Sequence, residues 1–264
     1  SSTLDGAQTF AISSGSGAVA IQGVTGGTTA LTSLTINAAG TGTIEVANIG
    51  AGAAGVAGAT AIGNANTTQL TLDGTVYNTD GTQTYTAVAG NTIDLTAGAT
   101  TTFTSTSDDI TFATGTVELA NNSDLVVNST GGNIIVSAIK GSSVEDVTLN
   151  AAAGNVTIGF IGTVAAEIND VTMTGTTINL GGDIKTDDAG DVDINGAVVL
   201  TAAVEIDTSA GNGTVDLSST LNGAFDLDIS SGSGAVAIQD AIGATTPLAS
   251  LDINQAAGSG TIEV

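Results

Sequence analysis

Apolar and polar residues alternate in short runs along the whole chain. An apolar-x-apolar unit recurs, as at Leu34-x-Ile36, Leu70-x-Leu72 and Val156-x-Ile158, and Thr, Asp, Glu, Asn or Ala fill the positions between. A period of two predicts short β-strands with one buried face and one face in water. Gly, Asn, Asp and Ser separate the runs and predict turns. No window has a sustained helical period, so the pattern predicts an all-β fold.

Two all-β architectures compete for this pattern. Strands of a β-sandwich usually run about five or six residues, and its core commonly contains Trp or Tyr. The runs here are shorter, the chain has no Trp, and paired apolar units recur roughly every 20 residues, as one turn of a solenoid requires. We therefore predict a parallel β-solenoid with coils of about 20 residues. The alternation predicts an inward-facing core at Ile12, Ile36, Leu72, Leu95, Leu119, Val127, Leu149, Ile158, Leu180, Ile194, Leu200, Leu217 and Ile229.

Asparagine recurs just after predicted strands. It occupies this position at Asn37, Asn150, Asn195 and Asn254. Asparagine is common in turns because its side chain bonds the nearby backbone and tolerates a left-handed conformation. We expect these residues to form turns, and stacked side-chain ladders are the alternative.

The end of the chain repeats its beginning. The stretch from Ile12 to Gln22 returns letter for letter from Ile229 to Gln239, and Gly-x-Gly-Thr-Ile-Glu-Val closes both copies. This predicts one long solenoid repeat over residues 1–217 and the start of the next copy, continuous with it, over 218–264. A length cut from a longer array ends in this way, whereas a finished domain does not. We therefore expect uncapped ends and further copies of the repeat along the axis, joined covalently or stacked head to tail.

Charge and composition exclude several classes of function. The chain has 26 acidic residues, two basic residues (Lys140 and Lys185) and a formal net charge of −24. Two lysines cannot neutralise a nucleic-acid backbone, so we expect no nucleic-acid partner. Without Cys or His, the chain has no ligands for a transition metal and no thiol nucleophile. No apolar run approaches the ~18–20 residues of a membrane span.

One acidic cluster is the candidate metal site. We use "acidic cluster" for Asp183, Asp187, Asp188, Asp191 and Asp193; Glu205 and Asp207 follow about one coil later. Calcium takes six to eight oxygen ligands, and carboxylates at a turn can supply them. The chain has neither the Asp-x-Asp-x-Asp-Gly calcium loop nor the Gly-rich nonapeptide of calcium-binding β-rolls. A solvated acidic face is therefore the competing interpretation, and we expect no other cofactor.

Several phrases resemble the long arrays of filamentous-haemagglutinin-like proteins. The resemblance is carried by residues 4–10, 26–37, 81–85 and 107–112. Those proteins are giant bacterial surface or secreted proteins whose repeat regions form right-handed parallel β-helices. The resemblance covers nearly the whole chain and implies a right-handed β-helix in an extracellular or cell-surface protein. The Gly- and Ala-rich stretch from Ala47 to Asn66 departs from the pattern, and we expect a looser loop or insertion there.

These observations favour a structural role. We expect a segment of a giant extracellular bacterial repeat protein that forms a fibre, stalk or surface filament and has no catalytic activity. Lateral self-association is a further expectation for such filaments. The alternative is an adhesin binding module that recognises a carbohydrate or cell surface along the solenoid face, although two Tyr and five Phe are too few and scattered to predict a sugar-stacking surface. Asn78-Thr-Asp80 and Asp108-Asp109 superficially resemble the first acidic motifs of polygalacturonases, which are right-handed β-helices. The remaining motifs of that family need His and Arg, which this chain lacks.

Overall fold

The fold is a parallel β-solenoid, as the alternating pattern predicts. The computed structural model describes residues 2–37, 39–142, 144–187, 189–254 and 258–264. These residues form strands and turns without a helix, and parallel strands stack in about 11 turns of about 23 residues each. The turns are thus longer than the predicted 20 residues. Leu180 and Leu200, whose spacing supported the prediction of 20 residues, are register partners in one of the shorter turns.

By packing, the chain divides between Ser137 and Ala138 into two compact units. The first unit contains β1 (Thr9–Ile12), β2 (Val19–Ile21), β3 (Ser33–Ile36), β4 (Thr43–Val46), β5 (Thr60–Gly63), β6 (Gln69–Leu72), β7 (Val76–Thr79), β8 (Gln83–Thr86), β9 (Thr92–Leu95), β10 (Thr101–Ser105), β11 (Ile110–Thr114), β12 (Thr116–Leu119) and β13 (Leu125–Ser129). The division falls within β14 (Ile134–Lys140). The second unit continues with β15 (Val147–Asn150), β16 (Asn155–Ile161), β17 (Val171–Leu180), β18 (Ile184–Lys185), β19 (Val192–Leu200), β20 (Val204–Asp207), β21 (Val215–Leu217), β22 (Leu221–Asn222), β23 (Asp226–Ser230), β24 (Val236–Ile238), β25 (Ser250–Ile253) and β26 (Ile262–Glu263). The repeat boundary after residue 217 is a division by sequence, and it stays a prediction.

Each strand lies in register with the strand one turn away, so like residues stack in columns. In the first unit, β6 pairs with β4 and β9, which places Leu72 between Val46 and Leu95. All three side chains are fully buried. Thr71, on the opposite face of β6, lies between Glu45 and Asp94. The period of two therefore produces a continuous apolar column inside and a polar column outside.

The predicted core residues are buried with one exception. Every residue of the predicted set except Ile12 is at most 2% exposed. Ile12 is 37% exposed, although it pairs with the buried Ile36. The inward-facing prediction holds for Ile12, which shares the column of Ile36, but its side chain is exposed because, among the described residues, no strand pairs with the other side of β1. Ile12 therefore faces the interior without a turn to cover it.

The stretch from Ala47 to Asn66 is an integral turn of the solenoid, so its prediction as a looser loop is wrong. Ile49 bridges Thr25 on one side and Tyr77 on the other, and Val56 bridges Leu31 and Thr79. Both Ile49 and Val56 are fully buried, and β5 lies within the stretch. Gly and Ala hide the pattern because single apolar residues, rather than pairs, supply the inward-facing positions here.

The turn prediction is confirmed at Asn37 and Asn254, whereas Asn150 is the last residue of β15 and pairs with Thr174. Asn37 and Asn254 have φ of 50° and 51°, a left-handed conformation that asparagine tolerates better than most residues. The Asn150 side chain accepts the Ala152 N–H at 3.0 Å in its own turn. Asn195 instead lies inside β19, where it pairs with Thr174, so its prediction as a turn residue is wrong. Two asparagines do bond across turns, since Asn64 Nδ2 donates to the Asn37 carbonyl.

Candidate functional site

Aspartates one turn apart form a ladder on the second unit. We use "aspartate ladder" for Asp146, Asp170 and Asp191, each of which immediately precedes a strand. Asp146 Oδ1 accepts the Asp170 N–H at 3.2 Å, and Asp170 Oδ1 accepts the Asp191 N–H at 2.9 Å. Asp191 Oδ1 accepts the Thr214 N–H at 2.6 Å. Each carboxylate thus binds the backbone of the following turn, a strong charge-assisted contact.

Sequence reasoning missed this ladder, although a signal exists. An Asp-Val pair begins β15, β17 and β19 at residues 146–147, 170–171 and 191–192. In the first unit, Asp109 immediately precedes β11 and its Oδ1 likewise accepts the Asn133 N–H at 2.7 Å. Asp5, which lies four residues before β1, makes a similar contact, because its Oδ1 accepts the Thr28 and Thr29 N–H groups at 2.9 and 3.2 Å. These backbone hydrogen bonds lower the pKa of Asp5. Aspartate before a strand therefore acts here as a clamp between turns.

The acidic cluster is spread along strands and turns. Asp183 Oδ1 accepts the Glu205 N–H at 2.9 Å, so it also clamps the following turn. Asp193 lies on β19 in register with Thr172 and Asp216. Desolvation raises the pKa of Asp193, and the charges of Asp191, Asp216 and Asp170 raise it further. Such repulsion between carboxylates would favour a cation, but it also arises on any crowded acidic face.

Asp187 and Glu167 form the other part of this face. Desolvation raises the pKa of Glu167, and its charge repulsion and hydrogen bond with Asp187 raise it further. Asp188 lies outside the described residues. Within the ranges that the structure describes, no three acidic side chains converge in a way that could hold a metal ion. Calcium binding by the acidic cluster stays an untested alternative to a solvated acidic face.

Lys185 makes an ion pair that joins two turns of the second unit. Its Nζ lies 2.6 Å from Glu205 Oε2 and 3.4 Å from Asp207 Oδ2, and its side chain is 13% exposed. Desolvation alone would lower the pKa of Lys185, but the hydrogen bonds and charges of Glu205 and Asp207 together raise it. Desolvation alone would raise the pKa of Asp207. Hydrogen bonds from Ser209 and the charge of Lys185 outweigh that effect, so the pKa of Asp207 is lowered.

A groove of about 660 Å³ opens beside Lys185. Phe160, Val164, Ala165 and Ala203 supply apolar walls, and Asp183 and Lys185 supply polar atoms. Val164 is 79% exposed, so it presents an apolar side chain to solvent at the edge of the groove. This groove therefore joins an apolar surface to a charge pair, as small-molecule sites commonly do.

Most of the aromatic residues are not available for ligand stacking. Tyr77 stacks on Phe103 with ring centroids 4.7 Å apart, and Tyr85 stacks on Phe112 at 5.2 Å. These four side chains are fully buried inside the first unit. Although these residues are scattered along the sequence, register brings Tyr77 next to Phe103 and Tyr85 next to Phe112. They form an aromatic column in the core.

The polygalacturonase-like motif contains carboxylates that bind neighbouring turns. Asp80 Oδ1 accepts a hydrogen bond from Thr106 Oγ1 at 3.0 Å. Asp109 Oδ1 accepts the Asn133 N–H at 2.7 Å. These contacts give each carboxylate a structural use in the stack. They offer no specific support for an acid–base pair.

Comparisons with protein-family models, with curated proteins and with solved structures give no match for this chain. The likeness to filamentous-haemagglutinin-like proteins therefore rests on the sequence phrases alone. Across the described ranges, no helix is long and apolar enough to cross a membrane.

Proposed function

We propose that this chain is a structural segment of an extracellular solenoid that forms a fibre, stalk or surface filament, without catalytic activity. One observation carries the proposal: many polar side chains outside the core bind the backbone or a side chain of an adjacent turn of the same protein. The aspartate ladder, Asp183 and Asn64 all contact an adjacent turn. Polar contacts of this kind stabilise the stack of turns. Each further turn lengthens the stack by about 4.8 Å.

The net charge of −24 fits the same role. Long rods that carry a high charge of one sign repel one another, which keeps them soluble and limits nonspecific side-to-side contact. The repulsion is screened by salt, with a Debye length of about 8 Å at physiological ionic strength. Lateral association of such filaments is therefore expected to increase with salt concentration.

Electron microscopy of the native material tests the proposal. We expect filaments or shafts of uniform width, with a cross-section set by one solenoid turn. Globular particles of uniform size, without any elongated form across a range of salt concentrations, would contradict a structural role.

A second candidate function is an adhesin binding module, and the groove beside Lys185 favours it. Phe160 and Val164 supply an apolar surface next to hydrogen-bonding groups, a combination suited to a sugar ring. A screen of glycans by NMR would test this role. Phe160→Ala should abolish any binding, whereas Phe225→Ala, which changes an exposed phenylalanine outside the groove, should leave it unchanged.

A further inference from the structure

Two pairs of strands in this chain share sequence and register. β25 and β26 repeat β3 and β4, as Ser-Leu-x-Ile and Thr-Ile-Glu-Val. On one side, β3 pairs with β1 through Leu34 and Phe10, and β25 pairs with β23 through Leu251 and Leu227. Likewise, β4 pairs with β2 and β26 pairs with β24 at corresponding positions. The two copies therefore present equivalent edges on their opposite side.

Within the part of the chain that the structure describes, a further pair of strands covers the edge of β3 and β4 but not that of β25 and β26. β5 covers β3, with Ile62 opposite Ile36, and β6 covers β4, with Leu70 opposite Ile44. Among the described residues, no strand pairs with the outer side of β25 or β26. The exposure differs accordingly: Ile44 is fully buried, whereas its counterpart Ile262 is 47% exposed.

The turns beside the two edges also match. Asn37 Oδ1 accepts the Ser14 N–H at 2.8 Å, and Asn254 Oδ1 accepts the Ser231 N–H at 2.7 Å. With their similar φ values, both asparagines direct the backbone in the same way. A close approach is repeated too, since a Cβ on Gly42 would meet the Gly17 carbonyl at 1.8 Å and a Cβ on Gly260 would meet the Gly234 carbonyl at 1.7 Å.

The occupied edge shows which polar groups the covering turn uses. The Leu34 N–H donates to the Ala59 carbonyl at 3.0 Å. The Asn64 side chain donates to the carbonyls of Asn37 and Gly40, the second at 2.7 Å. At the open edge, the counterparts of Asn37 and Gly40 are Asn254 and Gly258. Their carbonyls would be the acceptors for an equivalent asparagine.

We propose that the open edge of β25 and β26 is a docking surface for a solenoid turn with the sequence of residues 47–72. Its occupant carries two strands that read Thr-Ala-Ile-Gly and Gln-Leu-Thr-Leu, with the asparagine equivalent to Asn64 after the first. The inference rests on the proposed structural function. It adds that the sequence of each exposed edge determines which turn stacks on it. The same edge, occupied at β3 and β4, is the observation that selects this occupant.

The opposite open edge, at β1 and β2, matches a different turn. Its counterparts are β23 and β24, which pair with β20 and β21. Leu227 and Ile229, the counterparts of Phe10 and Ile12, are at most 1% exposed there. The preferred occupant of the β1 edge is therefore a turn like residues 204–217. Stacking β25 directly on β1 would be a mismatch, because the edge of β25 matches a turn like residues 47–72 and the edge of β1 matches a turn like residues 204–217.

A chain extended by its own residues tests the docking surface. We would append a second copy of residues 47–119 after Val264, so that several turns follow the open edge, and measure hydrogen exchange of residues 250–254 and 258–264. Amides that gain a strand partner exchange more slowly, and we expect slowing of about tenfold or more. A control carries the same extension with residues 47–72 scrambled. Equal slowing in both chains, or none in either, overturns the proposal, and unchanged exchange of residues 147–161, which occur only once in each extended chain, verifies that the chain remains folded.

Point variants in the appended copy sharpen the test. Asn64→Ala there removes the donor to Asn254 and Gly258, so we expect faster exchange at those positions. Asn66→Ala is the matched control, because Asn66 is exposed and its backbone N–H makes the bond to Asn64. Equal exchange in the two variants contradicts the asparagine contact. Filaments of native material that persist after such a result would leave the structural role standing, since only the order of turns would be wrong.

Discussion

Removing the Tyr77 hydroxyl from the aromatic column tests how much its buried hydrogen bonds contribute to stability. Tyr77 Oη accepts the Gly74 N–H at 3.0 Å and donates to the Val46 carbonyl at 2.8 Å. Tyr77→Phe keeps the ring and its stacking on Phe103, so the change is confined to these two hydrogen bonds. The side chain is fully buried, and water cannot easily replace the hydroxyl.

The two partners lose different amounts. The Val46 carbonyl keeps a second donor, the Asp73 N–H at 3.2 Å. The Gly74 N–H loses the hydroxyl that accepts it, and leaving a buried donor unpaired costs about 1–3 kcal/mol. We therefore expect Tyr77→Phe to lower the free energy of unfolding by about 2 kcal/mol. Tyr85→Phe should cost less, because the Tyr85 hydroxyl donates to the Gln83 side chain and not to the backbone.

Denaturant unfolding combined with hydrogen exchange measures both effects. Repeat proteins can open locally, so exchange at Gly74 reports on the site even if the whole transition is broad. We expect a lower midpoint and faster Gly74 exchange in Tyr77→Phe, with a smaller change in Tyr85→Phe. Parental exchange at Gly74 together with a parental midpoint would refute the argument, because the hydrogen bond would then contribute nothing.

Four further outcomes follow from the same structure. Burial raises the pKa of Tyr77 and of Tyr85, so just above pH ~10 these tyrosines ionise only in the unfolded chain. The free energy of unfolding should therefore be constant with respect to these groups below pH ~10 and fall above it by up to about 1.4 kcal/mol per pH unit per tyrosine. The fall should be shallower in Tyr77→Phe. Because the folded-state pKa of Asp193 is raised, its ionisation opposes folding; Asp193→Asn should raise the melting temperature at pH 7, and the gain should vanish below pH ~4, where the aspartate is protonated in both states. Leu149→Asp should cost about 3 kcal/mol or more by burying a charge, whereas Thr148→Asp on the outer face should be nearly neutral, and equal melting of the two would mean that the inward face is wrong. Thermal melts in EDTA and in millimolar calcium should coincide, since clamping contacts occupy Asp183 and Asp191; a clear calcium-dependent rise would instead establish the acidic cluster as a metal site.

The sequence was sufficient to predict the strands, because a period of two survives even in very short runs. Val156-x-Ile158 and Leu70-x-Leu72 both read directly as inward-facing pairs, and both pairs are buried. Turn length was harder to predict, since it depends on residues that contribute little to the apolar pattern. In the stretch from Ala47 to Asn66, three isolated apolar residues, Ile49, Val56 and Ile62, are buried and hold the turn in place. A pattern of apolar pairs does not reveal them.

The candidate site was predicted less well than the fold. Carboxylates were recognised as a group, but their positions relative to strand starts were not considered. In a parallel stack, the residue before a strand lies beside the backbone of the next turn, so Asp146 and Asp170 bind N–H groups there. The aromatic column was missed for a related reason. Tyr77 and Phe103 are far apart in sequence, and only the register makes them neighbours.

Register contributes to the stability of this protein and, under the proposed function, would also direct its assembly. A turn of a solenoid is covered on both sides only by its neighbours, so each edge carries the information that selects the next turn. Apolar columns alone select weakly, because Ile, Leu and Val fit against one another in many registers. Polar contacts such as Asn64 to Asn37 add a directional requirement, since a misplaced turn would leave their donors and acceptors unpaired at a cost that hydrophobic contact does not repay. The side chains that clamp one turn to the next are therefore the same ones that would keep a growing filament in register.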